Sequence, residues 1–346
     1  MKLHSNVMRS AALLGMLLVL ATGHAQVGEP AERLLDRLGN AEPASPRAQE
    51  GNGGGYVLGD SVHFELDERG GLLYSVQGEA TLSGENRGEV ARLIGEATGY
   101  GEGIAGQIEA FLEQNALEIA AQPDGTAGVR VEQFVLELQA QGEEEPVQLQ
   151  FDLRLAQVPE SAFLEPSHSL GPADAPYVIR EFADFQCPAC ANFRRQVFPM
   201  LEEEILSRGD VRFEFHHMPL KTIHANAALA AEASECVSAV NGDEGFWAFH
   251  DALFEYQRAW QGLGDPQSYF VRLVDELGLE TDGVAACIDE REYRQEVDTS
   301  YQHAVSVLGV NSTPTVYVNG FLNRSFHEAQ SYLDLFELVD AFHGSP

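Results

Sequence analysis

The sequence predicts two folded units, a small α+β domain with an antiparallel sheet followed by an α/β domain with a helical insertion. Three observations carry this. A chain of 346 residues is long for a single domain at roughly 100 to 200 residues each. Before residue 160 apolar and polar residues alternate as in half-buried strands, whereas after residue 176 strand-like runs alternate with helical ones. Between them, Ser161 to Pro176 (SAFLEPSHSLGPADAP) is dense in turn-forming residues.

Residues 1–25 read as a signal peptide. Lys2 and Arg9 precede the apolar run Ala11–Ala21, and Gly23-His24-Ala25 puts small residues where a signal peptidase cuts. A membrane anchor is the alternative, but a run of 11 residues falls short of the roughly 20 that cross a bilayer. Residues 26–56 are expected to form a flexible linker, because the stretch from Leu38 to Tyr56 is rich in Ala, Pro and Gly. Its glycine run lacks the Gly-Lys-Ser/Thr that would make it a phosphate loop.

Residues 57–160 form the expected accessory α+β domain. Val62, Phe64 and Leu66 alternate with His63, Glu65 and Asp67, and a turn at Arg69-Gly70-Gly71 leads to a second strand through Tyr74 and Val76. Two helices follow, one with Val90, Leu93, Ile94 and Ala97 on a face, the next with Ile104, Ile108, Phe111, Leu112 and Ile119. The cleanest strand runs from Val147 to Leu155, and its expected hairpin partner is Val129 to Leu138. With no catalytic constellation, this domain reads as a partner or dimerisation module.

In residues 161–346, Tyr177 to Phe185 reads as a buried strand. A helix follows with Phe193, Val197, Met200, Leu201 and Ile205 on one face, and Pro199 inside it is expected to kink it. Val211 to Met218 is a second strand, Thr222 to about Leu308 is helix-rich, and Thr315 to Val318 is a third strand. The closing helix carries Tyr332, Leu335, Phe336 and Val339 on one stripe.

Composition sets bounds on function. Apolar residues at 44% are enough to build cores, and 54 acidic against 21 basic side chains give a net charge of −33. Such a charge repels phosphate backbones and anionic lipid surfaces, which excludes nucleic-acid and peripheral membrane binding. Loss of Lys2 with the signal would leave Lys221 as the only lysine of a soluble exported chain, periplasmic or extracellular.

All four cysteines, Cys187, Cys190, Cys236 and Cys287, lie in the second domain, and four cysteines allow three pairings. Cys187-Pro188-Ala189-Cys190 falls where a strand gives way to a helix. The helix start offers unpaired N–H groups and the positive end of its dipole to the first sulfur. In such settings a cysteine pKa drops from about 8.5 to roughly 3.5–7.5. The second sulfur, one turn on, is then placed to displace a mixed disulfide from within. Half of a zinc site and an inert structural disulfide are the alternatives. Cys236 and Cys287 do not supply the second close ligand pair that zinc would require, and no metal is expected.

Glu181, six residues before Cys187 on the apolar strand, is aimed by alternation beneath the cysteines, where it would move protons for Cys190. An exposed edge carboxylate is the alternative. Thr313-Pro314 opens the third strand, and a cis bond there would present the strand edge to a bound peptide, an ordinary trans turn being the alternative. His216 and His217 are adjacent on a strand and so face opposite ways, which argues against a shared metal. Trp247 and His250 read as core and cap residues.

CPAC after a strand, an acid six residues earlier and a Thr-Pro entering a late strand across a helical insertion resemble the DsbA-like branch of the thioredoxin superfamily. Phe182-Ala183-Asp184-Phe185-Gln186, Ala230-Ala231-Glu232 and Phe246-Trp247-Ala248-Phe249-His250-Asp251 add to the resemblance, which covers residues 165–346. It implies a thioredoxin-like α/β fold with Cys187 as nucleophile, Cys190 as resolving thiol, Glu181 as buried acid and Pro314 as cis-proline. Pro188 and Ala189 form the dipeptide between the sulfurs, and Pro188 favours an oxidase by resemblance. Some relatives carry a second bridge, and Cys236 and Cys287, both on apolar helix faces, are expected to be bonded.

The function expected is an exported thiol:disulfide oxidoreductase, needing no cofactor and acting on cysteine-containing secreted or envelope proteins. Family members are commonly recharged by a membrane quinone-linked thiol oxidase. A dimeric isomerase or reductase, joined through the first domain, is the near alternative. A peptide- or copper-binding module without catalysis belongs to another class, and it would keep working without Cys187.

Overall fold

The computed structural model describes residues 30–43, 55–84, 86–131 and 133–343. The expected signal peptide lies outside them. The chain divides into two units, Met1–Gln157 with Glu337–Pro346, and Val158–Phe336.

The first unit is built on a seven-stranded sheet, ordered β1-β2-β3-β4-β7-β6-β5, with every neighbouring pair antiparallel. Its elements are helix α1 (Ala31–Leu38), strands β1 (Ala41–Pro43), β2 (Gly55–Leu58), β3 (Val62–Arg69) and β4 (Leu72–Leu82), helices α2 (Arg87–Ala97) and α3 (Glu102–Ala120), and strands β5 (Thr126–Val131), β6 (Phe134–Gln141) and β7 (Val147–Leu155). The alternation expected of β3 and β7 is seen as buried Val62, Phe64 and Leu66, and Val147, Leu149, Phe151, Leu153 and Leu155. Gly78 pairs with Phe64 on one side and Phe151 on the other. A Cβ on it would come within 2.3 Å of the Phe151 ring, so any other residue would have to displace that ring.

Two expectations need correction. The segment 26–56 is not linker throughout, because Ala31, Leu34 and Leu38 place three buried side chains on one face of α1. Burying each leucine contributes about 1.5–3 kcal/mol. The helix end is also capped from α2, where Arg92 donates to the Leu38 carbonyl at 2.6 Å. The expected strand Val129–Leu138 is two strands, β5 and β6, which turn back on each other with Val131 opposite Phe134. The polar Glu132-Gln133 pair interrupts the apolar run at that point.

The second unit carries a five-stranded mixed sheet, ordered β12-β11-β9-β10-β8. Its strands are β8 (His168–Leu170), β9 (Tyr177–Ala183), β10 (Val211–His217), β11 (Thr315–Val318) and β12 (Phe321–Leu322). β9 and β10 run parallel, while β11 runs antiparallel to β9 with Thr315 beside Phe182 and Val316 beside Glu181. Between β9 and β10 lies α4 (Pro188–Asn192), which continues as one helical stretch to residue 208 with π turns at Phe193–Val197 and Leu201–Ile205. Buried Phe193, Val197, Leu201 and Ile205 recur every fourth residue. A four-residue repeat outruns the 3.6 of an α-helix, and wider π turns keep all four on the core side.

The insertion comprises α5 (Ala227–Glu255), α6 (Gln267–Glu276), α7 (Val284–Glu290) and α8 (Arg294–Ser306), and α9 (Ala329–His343) closes the chain. Gly242 breaks α5 with φ 68°, a conformation that favours glycine. Cys236 of α5 and Cys287 of α7 are joined in a disulfide with their Cα atoms 5.8 Å apart. The unit starts earlier than the turn-rich segment suggested. Val158 packs with Phe182, Met218 and Tyr317, and its N–H donates to the Gly320 carbonyl at 2.8 Å. Buried Arg180 pairs with Glu160 and, at 2.7 Å, with Glu214, while Phe163 lies 4.3 Å from its guanidinium carbon.

Candidate active site

Cys187 sits at the N-cap of α4 with extended backbone (φ −71°, ψ 123°), and Pro188 fills the first helical position, where a missing N–H costs nothing. Its N–H donates to the Asp184 carbonyl at 3.0 Å, and its own carbonyl accepts from Ala191 at 3.1 Å. Both cysteines are free thiols; Cys187 is 7% exposed and Cys190 is sealed at 0%.

The two sulfurs differ electrostatically. A hydrogen bond from the Cys190 thiol is the main influence holding the Cys187 pKa down at about 5; burial opposes it, and Thr313 and the N–H groups of Cys190 and Ala189 add to it. Burial pushes Cys190 the other way, well above the usual thiol range, with the hydrogen bond to Cys187 and the charges of Cys187 and Glu181 adding to the rise. Thr313 and Pro314, joined by a cis bond, enter β11 beside the strand that leads to the cysteines. As a thiol, Cys187 donates to the Thr313 carbonyl at 3.5 Å.

Glu181 is 3% exposed in the middle of the sheet, between Phe215 and Val316. Burial raises its pKa to about 8 against the pull of the Arg194 cation. Arg194 is itself held by Asp251 at 2.6 and 2.7 Å, and Asp251 pairs with His250 Nδ1 at 2.8 Å. A carboxyl whose folded pKa exceeds its unfolded value keeps its proton in the fold. Its ionisation therefore adds no cost below about pH 4.5, and that cost grows until about pH 8. Glu181→Gln is accordingly expected to stabilise the protein progressively over that window, by on the order of a few kcal/mol at its top. Denaturant unfolding from pH 4 to pH 9 measures this, and a pH-independent difference between the two proteins would refute it.

The loop before Cys187 is braced by residues to which sequence reasoning gave no role. Asp184, 1% exposed, accepts from the Gln186 N–H at 2.6 Å and the Leu220 N–H at 2.8 Å, and pairs with His224 Nδ1 at 2.7 Å. The available signal was two polar residues inside the apolar run FADFQ. From the insertion, Gln257 donates to the carbonyls of Phe185 and Cys187.

The histidines serve the scaffold. His217 and His168 both bond Glu235, at 2.5 and 3.3 Å. Burial opposes the Glu235 charge, but these two bonds outweigh it and hold the carboxyl at about 2. His216 stacks on Phe182 with ring centres 4.7 Å apart. Among the described residues no group of three or more His, Cys, Asp or Glu could hold a metal ion, and no helix is long and apolar enough to cross a membrane.

The sequence matches the thioredoxin family over residues 164–341. It is 31% identical over 165 residues to "Disulfide bond formation protein D" of Bacillus subtilis (strain 168), covering 45% of this chain and 69% of that protein. It is 30% identical over 169 residues to "Probable disulfide bond formation protein D" of Bacillus anthracis, covering 48% and 76%. Among solved structures, oxidised BdbD from Bacillus subtilis aligns with 26% identity and a TM-score of 0.45, over 55% of this chain and 97% of that one. With the family matched across half of its length and two relatives covered over two thirds of theirs, the chain belongs to the thioredoxin superfamily, in its DsbA-like thiol:disulfide oxidoreductase branch.

Proposed function

We propose that this protein is an exported oxidoreductase that introduces disulfides into cysteine-containing secreted or envelope proteins through Cys187 and Cys190. The observation that carries the reading is the asymmetry of the two sulfurs, one acidic and slightly exposed, the other sealed and basic. In the oxidised protein a substrate thiolate attacks Cys187 Sγ and breaks its bond to Cys190, which leaves with the electron pair and takes up a proton. A second substrate thiolate then attacks the substrate sulfur of the mixed disulfide, and Cys187 leaves as thiolate. Two substrate thiols lose two electrons and the cysteine pair gains them. No cofactor is needed, and a membrane quinone-linked thiol oxidase would restore the disulfide.

Direction follows from acidity. A thiolate at pKa about 5 is stable at neutral pH and leaves readily, which favours the reduced pair and makes the disulfide oxidising. Glu181, protonated at neutral pH with a pKa of about 8, is suited to give the proton that Cys190 takes up. Thr313 and Pro314, ahead of the part of β11 that pairs with β12, would offer their backbone to a substrate.

Iodoacetamide labelling of the reduced protein across pH, read by peptide mapping, tests the assignment. Modification should fall on Cys187 with a midpoint near 5, and preferential labelling of Cys190 would defeat it.

The accessory domain, residues 57–160, is proposed to govern assembly or substrate choice. Support comes from the position of β5 at one end of the sheet and from a groove of about 870 Å³ lined by Tyr56, His63, Glu65, Glu79, Glu137 and others, none of them cysteine. Pairing of edge strands would give a symmetric dimer and tilt the activity toward isomerisation. Light scattering on the mature chain should then report twice the chain mass, and a monomer at all concentrations would remove the dimer.

A further inference from the structure

The loop that presents Cys187 is tied to the helical insertion by side-chain amides. Asn226 Nδ2 donates to the carbonyls of Trp260, Gln261 and Leu263, at 3.3, 3.2 and 2.9 Å. Gln186 accepts from the Asn226 N–H at 2.7 Å and donates to the Gln261 carbonyl at 3.0 Å. Gln257 is 5% exposed and uses one nitrogen for two bonds, to the Phe185 carbonyl at 2.8 Å and the Cys187 carbonyl at 2.9 Å. The short helical turn Gln257–Trp260 that carries it is fixed in turn by Trp260, whose indole N–H donates to the Leu253 carbonyl at 2.9 Å.

A carboxamide suits this place for a chemical reason. Two convergent carbonyl oxygens need two N–H groups on one atom, which Gln supplies without charge. A carboxylate would set negative oxygens against both carbonyls and add a negative charge to the backbone that carries Cys187. An apolar side chain would leave the Phe185 carbonyl without this donor. The Cys187 carbonyl would still accept from Ala191, so the helix itself would persist.

We propose that Gln257 is a positioning residue for Cys187, its amide fixing the two carbonyls on either side of Gln186 so that the Ala189 and Cys190 N–H groups stay aimed at the sulfur. The inference rests on Cys187 being the reactive thiol. It makes the insertion, 70 residues away in sequence, a determinant of how reactive that thiol is.

The test is the pH profile of Cys187 alkylation in the reduced full-length protein, for the native chain, Gln257→Met and Gln257→Glu. Methionine keeps the volume and loses both donors, and should move the midpoint up by about one pH unit, slowing alkylation at pH 5 several-fold. Glutamate should move it further, because its charge adds to the loss. A general loss of stability does not shift the ionisation of a thiol in molecules that remain folded, so the midpoint separates positioning from scaffolding. A low native midpoint that Gln257→Met leaves in place overturns this inference and spares the reading of Cys187. A native midpoint at the value of free cysteine overturns that reading itself. If glutamate prevents folding, the methionine variant decides.

Discussion

Replacing Cys187 with serine should abolish disulfide exchange, lowering the rate of catalysed oxidation of a dithiol peptide by at least about 10³-fold. Serine keeps the volume and the N-cap geometry, so the fold should be retained. What is lost is a sulfur that ionises near pH 5, for which an alkoxide has no equivalent at neutral pH. Cys190→Ser should behave differently. Cys187 can still attack a disulfide in a substrate, but the mixed disulfide cannot be displaced from within and should accumulate. Equal residual activity in the two variants would mean that their roles have been assigned wrongly. A protein that still bound and served its partners after loss of Cys187 would be a binding module.

The second large effect is on stability. Replacing Cys236 and Cys287 together with alanine opens a loop of 51 residues, whose closure restricts the unfolded chain by about 4 kcal/mol. Both sulfurs are buried, between α5 and α7, and the double variant also loses their packing. Denaturant unfolding of native and variant proteins should show the midpoint falling, with labelling of Cys187 in the folded state unchanged. An unshifted midpoint would show that the bridge adds nothing to the stability of the insertion.

The strands and the cysteine loop were legible in the sequence because their signals are local. Period-two alternation marks β3 and β7, and CPAC at a strand end announces its chemistry in four residues. The burial of Glu181 was legible in the same way, by counting along one strand. What escaped depends on contacts between distant residues. Helix α1 has only two turns and runs straight into the Ala-, Pro- and Gly-rich stretch that reads as linker; its end is fastened by Arg92, 54 residues from Leu38. The β5–β6 turn hides inside one apolar run. Gln257 shows no pattern of its own, since its role exists only once the insertion has folded back on the cysteine loop. Val158 and Glu160 precede the turn-rich segment, but contacts with β9 and its surroundings draw them into the second unit.

The most direct measurement is the equilibrium of the Cys187/Cys190 pair with glutathione buffers of graded potential, read by thiol trapping and mass mapping. A pair with one acidic and one sealed sulfur should pass through a single two-electron transition at a potential above about −200 mV. A pair that stays oxidised below about −300 mV, as structural disulfides do, or that never exchanges with glutathione, would contradict it.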